Sequence, residues 1–174
     1  MEKLAHRLAV RIHAAGSGTV PLPVLANGLT HMLMSLTIVC VSLFVGILTG
    51  RAAETVICLF CFSTLRRLTG GRHMKTVSRC VAFSSVLMIM LAHLPVRDET
   101  VILAMNLFGL ACVLLFAPTF VSTEAGGRRR RLLLKAAAAG LVCGNFFFAN
   151  AQAALAFAAQ GLLLIPGRKE ECAT

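Results

Sequence analysis

The sequence is poor in charged residues, and it contains no tryptophan and no tyrosine. Only 14% of its 174 residues are charged, whereas 57% are hydrophobic. A water-soluble domain of this length needs far more polar surface than so few charges provide, which excludes an ordinary soluble globular protein. Lipid is therefore the predicted solvent for most of this chain.

Six apolar segments are separated by short polar stretches. A helix needs roughly 20 residues to cross a hydrocarbon core of about 30 Å, and the first segment meets that requirement. The second is shorter and contains Glu54, whereas the last is too long for one span and contains Asn145 and Asn150 as its expected turn. The predicted fold is an all-α integral membrane protein with about six transmembrane helices, at residues 28–49, 52–65, 80–94 and 100–121 and two within 132–165.

Acidic residues are scarce as well, with seven Asp and Glu against 17 Lys and Arg. Three basic residues precede the first predicted span, five lie between the second and third, five between the fourth and fifth, and two follow the last. Only Arg51 and Arg97 remain for the opposite side of the membrane. Because Lys and Arg concentrate in cytoplasmic loops, this pattern predicts a multi-pass protein with both termini in the cytoplasm.

No uninterrupted apolar core of the signal-peptide type occurs before Gly28, which argues against a secretory signal. Instead, Leu4, Leu8 and Ile12 recur every four residues, and basic residues repeat one position earlier. This pattern predicts an interfacial amphipathic helix over residues 1–16. The chain is thus expected to be one domain, residues 1–174, with a bundle over 28–165 and a cytoplasmic tail over 166–174.

Metal-ligand patterns are also missing. Cys58 and Cys61 form a CxxC pair, but no second ligand pair accompanies them, which favours helix packing over zinc or redox chemistry. No HExxH motif or carboxylate pair accompanies His31 or His93. We expect no metal, no cofactor and no structural disulfide in this chain.

The basic stretch between the second and third spans has a candidate nucleophile and a candidate base. A cysteine attacks a carbonyl only as a thiolate, which a nearby imidazole and several guanidinium groups stabilise. On an unbroken helix, His73 and Cys80 would lie about 10 Å apart, too far for proton transfer. We therefore expect His73 in a loop after Gly70 and Gly71, folded over Cys80 at the start of the third span. The open alternative is an incidental histidine and a buried packing cysteine.

The residues of this stretch resemble the accessory gene regulator B (AgrB) family, membrane cysteine endopeptidases of Gram-positive bacteria that work in quorum sensing. Ala117-Pro118, followed by a strongly basic loop, is similar to the same family. The resemblance implies catalytic roles for Cys80 and His73. The residues that carry it between the second and third spans are Arg66, Arg67, Gly71, His73, Thr76 and Cys80.

The resemblance also implies a substrate and a location. The substrate would be an AgrD-like precursor peptide, cleaved through a Cys80 thioester and cyclised to a thiolactone or lactone autoinducing peptide. The site would lie on the cytoplasmic side of the bacterial cell membrane. Membrane lipids and a second copy of the chain are the other expected partners, and nucleic acid is not expected.

Supporting roles are assigned on chemistry. Arg66, Arg67 and Arg72 are candidates to hold substrate carboxylates or the thiolate, although topology control and lipid headgroups are open alternatives. Thr76 is a candidate to orient His73. Glu54 is the one acid near a predicted span and is therefore taken as functional, with Gly71 as a supporting residue of the motif.

Two rival functions remain open. A small transporter would use Glu54, His31 and His93 as intramembrane binding groups, but the two halves of the chain show no clear repeat. A non-enzymatic membrane partner protein would need neither Cys80 nor His73.

Overall fold

The computed structural model describes residues 2–15, 21–70, 77–119 and 127–165, and those residues form helices and short connections with no strand. The all-α fold is confirmed. The seven helices in the described ranges are α1 (Glu2–Ala15), α2 (Leu22–Leu48), α3 (Ala52–Thr69), α4 (Val77–His93), α5 (Glu99–Phe116), α6 (Gly127–Phe148) and α7 (Ala151–Leu164).

Three of these helices, α2, α5 and α6, are long and apolar enough to cross a membrane. Two shorter apolar helices, Ser78–His93 and Ala151–Leu164, accompany them. Large apolar side chains such as Phe44, Phe60 and Leu115 remain exposed on the outside of the bundle, as lipid contact requires. The chain is an all-α membrane protein, and the count of six spans stays a prediction.

The end of α5 differs from its predicted limit at residue 121. The helix ends at Phe116, and Ala117 adopts an extended conformation with ψ 154° before Pro118. A residue that precedes proline is disfavoured in the α region, because the proline ring collides with its backbone. The predicted boundary was wrong by five residues, since the apolar pattern continues past the proline.

The turn predicted within residues 132–165 is confirmed between α6 and α7. The Asn145 side chain donates to the Asn150 carbonyl at 3.0 Å and accepts from the Asn150 amide at 3.1 Å. It also donates to the Asn106 side chain of α5 at 3.0 Å. Asn150 then caps α7 by accepting from the Ala153 amide at 3.0 Å. Both asparagines therefore define the turn.

The N-terminal helix is confirmed as α1, which packs along α2. Its fully buried residues are Ala5 and Ala9, whereas Leu4 and Ile12 are about half exposed. Small residues thus face the neighbouring helix, and the larger apolar side chains remain available to lipid. That α1 lies in the membrane interface stays a prediction.

The last helix, α7, lies at the centre of the bundle. It contacts α3, α4, α5 and α6, and Phe157 and Leu164 belong to the main apolar core. Gly109 of α5 packs so closely on Phe157 that an added Cβ would lie 3.1 Å from the Phe157 Cβ. Small residues at this contact let the helix backbones approach, which is the usual basis of packing in membranes.

Candidate active site

Cys80 is the fourth residue of α4 and is only 6% exposed. It forms a small apolar cluster with Met34 and Val81, and Ile38 of α2 packs against that cluster. The fold thus places the predicted nucleophile in the first turn of α4, where water has little access to it.

Arg66 lies near this thiol, in the last turn of α3. Its guanidinium lies over the Phe62 ring, 5.7 Å from the ring centroid. Burial lowers the pKa of the Arg66 guanidinium, and the negative charge of the Cys80 thiolate opposes that shift. A guanidinium stays protonated even when partly desolvated, so Arg66 supplies positive charge beside Cys80.

The two arginines of the motif have different environments. Arg67 is exposed, whereas Arg66 is partly buried against Phe62. Since α3 continues to Thr69, both arginines belong to the helix and not to the loop after residue 65 that the sequence had predicted. Their side chains therefore project from a rigid element.

Four of the predicted site residues lie outside the described residues: Gly71, Arg72, His73 and Thr76. The pairing of His73 with Cys80 therefore stays a prediction. The two helices on either side of these residues are described: α3 ends at Thr69 and α4 begins at Val77, both at the same end of the bundle. We call this the Cys80 end.

Glu54 is not brought together with Cys80. It lies in the first turn of α3, twelve residues before Arg66, which corresponds to about 18 Å along the helix axis. The end of α3 that contains Glu54 is the one opposite to the Cys80 end. A role for Glu54 in direct contact with the thiol is incompatible with this separation.

Cys58 and His93 have structural surroundings. Cys58 is fully buried, with its Sγ 3.6 Å from the Gln152 carbonyl oxygen. The His93 ring contacts the Ile89 carbonyl at 2.8 Å and the Thr49 hydroxyl at 2.9 Å, which joins α4 to the end of α2. In the part of the chain that the structure describes, the cysteines are free and no group of three potential metal ligands occurs.

A polar cluster at the Cys80 end was missed by the sequence reasoning. Gln160 of α7 donates to the Gly70 carbonyl at 2.6 Å and to the Thr69 hydroxyl at 3.2 Å. The Thr119 amide donates to the Thr69 carbonyl at 3.0 Å. We call these four residues the α3-end cluster. Its only sequence signal is a glutamine near the end of a long apolar segment.

The chain matches the model of a known protein family. The family model AgrB, Accessory gene regulator B, matches residues 5–150, which include every predicted site residue. No curated protein and no solved structure matches the chain. The matched range covers most of the chain, from α1 through the turn after α6. The chain therefore belongs to the accessory gene regulator B family.

Proposed function

We propose that this chain is a membrane cysteine endopeptidase that cleaves the C-terminal tail from an AgrD-like precursor peptide. Membership in the accessory gene regulator B family supports the coarser statement, a role in processing a quorum-sensing peptide. The observation that carries the finer proposal is the partly buried Arg66 guanidinium beside the buried Cys80 thiol, in the first turn of α4.

In the first step, the Cys80 thiol loses its proton to His73 and attacks the carbonyl carbon between signal segment and tail. The carbon–nitrogen bond then breaks, and His73 returns the proton to the leaving amine. The products are a free tail and a peptidyl thioester on Cys80. Arg66 stabilises the thiolate before the attack, because an anion in apolar surroundings needs a counter-charge.

In the second step, an internal thiol or hydroxyl of the peptide attacks the thioester carbonyl. The new thiolactone or lactone forms as the bond to Cys80 breaks, and the proton of the attacking group passes through His73 to Cys80. A thioester exchanged for a thiolactone is nearly isoenergetic, so no nucleotide hydrolysis is needed. The apolar contacts of Cys80 with Met34 and Val81 exclude water and favour cyclisation over hydrolysis.

The charge of the bundle supports a cytoplasmic position for this site. The Cys80 end has exposed Arg67 and Arg79 and the exposed arginines at 128–131. The opposite end has Arg51 and Arg97 together with Glu54, Asp98 and Glu99. Excess positive charge is typical of the cytoplasmic face, and it also attracts an acidic peptide tail or anionic lipid headgroups.

A transporter function has less support from the described residues. Two of its three candidate groups, Glu54 and His93, lie in the first turn of α3 and at the last residue of α4, whereas the third, His31, lies within α2. Both positions are at a helix end and not midway along the bundle, where transported ions and substrates bind.

The test is reconstitution of the full chain in lipid vesicles with candidate AgrD-like precursor peptides, followed by intact mass spectrometry. We expect release of the tail and a transient peptidyl adduct on the parent protein. Both signals should disappear in Cys80→Ala and fall at least about 100-fold in His73→Ala, in line with the loss of a general base.

The matched control is Cys112→Ala, since Cys112 is similarly buried but lies on α5. Cys112→Ala should keep both the adduct and the cleavage. Unchanged cleavage in Cys80→Ala would refute the proposed mechanism.

A further inference from the structure

We propose that Gln160 is a positioning residue that fixes the start of the segment containing His73. This inference rests on the proposed function, because it assigns Gln160 a task in placing the catalytic base. The carrying observation is the pair of hydrogen bonds from its side-chain amide to Thr69, the last residue of α3, and to Gly70, which caps that helix.

The α3-end cluster joins three separate parts of the chain. Gln160 comes from α7, Thr119 follows α5, and both bind the backbone or side chain at the end of α3. The Thr69 hydroxyl also donates to the Leu65 carbonyl at 2.8 Å, so that its lone pairs are free to accept from Gln160. Thr69 is therefore held on its carbonyl and on its hydroxyl at the same time.

Gly70 is the residue at which the hydrogen bond from Gln160 acts on the backbone. Its φ is 78° and its ψ is −145°, a conformation that only glycine adopts without strain. Glycine rotates easily about its backbone bonds. The 2.6 Å hydrogen bond from Gln160 to the Gly70 carbonyl fixes the orientation of that carbonyl. The orientation of the last described carbonyl before this segment is thus held by a side chain of α7.

His73 is only three residues beyond Gly70. Three residues span at most about 11 Å even when fully extended, so the anchor restricts where the imidazole can lie. A displacement of about 1 Å in a catalytic group can cost about 100-fold in rate. An anchor at Gly70 therefore acts directly on the alignment of the base, although Gln160 itself touches no reacting atom.

The Gln160 side chain is only partly satisfied by hydrogen bonds among the described residues. The residue is fully buried, and its Oε1 has no hydrogen-bond partner among the described residues. Burial of an unpaired acceptor destabilises a fold. Two other buried atoms share this property, the hydroxyls of Ser42 and Ser85, but neither is bonded to the end of α3. An apolar side chain of the same length would avoid that penalty but would remove the hydrogen bonds to Thr69 and Gly70.

The test compares Gln160→Met with Gln152→Met, the same substitution two turns earlier on the same helix. Gln152 is partly buried at the opposite end of α7. With candidate precursor peptides as the substrate, we expect Gln160→Met to lower kcat by about 10- to 100-fold, with KM changed by less than about twofold. Gln160→Met also loses two hydrogen bonds between helices and should unfold at a somewhat lower temperature, so its rate is compared per folded molecule; Gln152→Met should keep full activity.

A second measurement, chemical rescue, distinguishes the placement of His73 from a purely structural role of Gln160. Added imidazole is used to restore cleavage in His73→Ala, and Gln160→Met is then introduced into that variant. If Gln160 acts only by placing His73, the rescued rate is the same with and without Gln160→Met, because free imidazole needs no tether. A further loss of the rescued rate would overturn the proposal.

Thr69→Val is a second variant that tests the proposal if Gln160→Met fails to fold. It removes one of the two acceptors of Gln160 and keeps the shape of the side chain, so we expect a kcat about two- to fivefold lower and an unchanged unfolding midpoint. Full activity in both Gln160→Met and Thr69→Val would refute the positioning role while leaving the peptidase intact. Cleavage that persists in Cys80→Ala would instead refute the peptidase proposal.

Discussion

The two ends of the helical bundle are built differently. At the end opposite to Cys80, the described connections are two to five residues long and are joined by complete hydrogen-bonding pairs, as between His93 and Thr49 or between Asn145 and Asn150. The Cys80 end instead combines a partly buried guanidinium, a buried thiol and an amide oxygen without a partner among the described residues. A charged group and a nucleophile held together away from water are typical of functional sites, so the contrast separates the half that stabilises the fold from the half proposed to perform the chemistry.

The largest effect that sharpens this comparison is expected at Arg66. Arg66→Met removes the positive charge beside Cys80, whereas Arg67→Met changes its exposed neighbour in the same way. An opposite charge nearby alters the population of a thiolate by about tenfold or more. We therefore expect the alkylation of Cys80 by iodoacetamide at pH 7 to slow about tenfold in Arg66→Met and less than twofold in Arg67→Met. The two rates are measured by mass spectrometry in vesicles, and equal slowing in both variants would contradict a specific role of Arg66.

A smaller effect, on stability alone, is expected at the opposite end. Asn145→Ala removes the hydrogen bonds that join α6 to Asn106 and to Asn150. Such bonds between helices are worth about 0.6–2 kcal/mol each, so unfolding in detergent should occur at a lower temperature. Cleavage per folded molecule should stay unchanged. The matched control is Asn27→Ala, at an exposed position of α2. If Asn145→Ala lost as much activity as the variants at the Cys80 end, the two ends would not differ in function.

The smallest effect concerns the cap of α5. Hydrogen bonds from the Thr100 hydroxyl and amide lower the pKa of Asp98 below its ordinary 3.8. Because the folded-state pKa is depressed, this contribution to stability is complete above about pH 4 and is lost as the pH falls further. The unfolding midpoints of the parent and Asp98→Ala should therefore differ at pH 7, and the difference should shrink steadily as the pH falls below 4 towards the folded-state pKa of Asp98. Glu99→Ala is the control, and a difference that does not shrink at all as the pH falls below 4 would show that the Asp98 charge is not the cause.

Most of the fold was accessible from the sequence because apolar segments and turn residues are local signals. Residues 132–165 were divided correctly, since Asn145 and Asn150 interrupt an otherwise apolar stretch. The extension of α3 through Arg66 and Arg67 was not predicted, because charged residues after an apolar segment indicate a loop. The packing of Arg66 against Phe62 shows how a long side chain lets a membrane helix continue past its apolar part.

Only the residues of the motif between the second and third spans could be assigned to the site from the sequence. Cys80 and Arg66 were chosen for their chemistry, and the structure brings them together, but Glu54 was included by the general rule that an acid near a membrane span is functional. Its position relative to Arg66 depends on how far α3 extends, which composition does not reveal. Gln160 was missed because its partners lie about 90 residues away in the sequence, and such contacts leave no local pattern.

The central position of α7 has a consequence for biosynthesis. A chain emerges from the ribosome with its N-terminus first, so α1 to α6 are made before the helix that they enclose. Until α7 is inserted, the surfaces of α3 and α5 that receive Phe157 and Leu164 have no partner other than lipid. The helices around α7 can therefore complete their packing only after residues 151–164 have been synthesised and inserted.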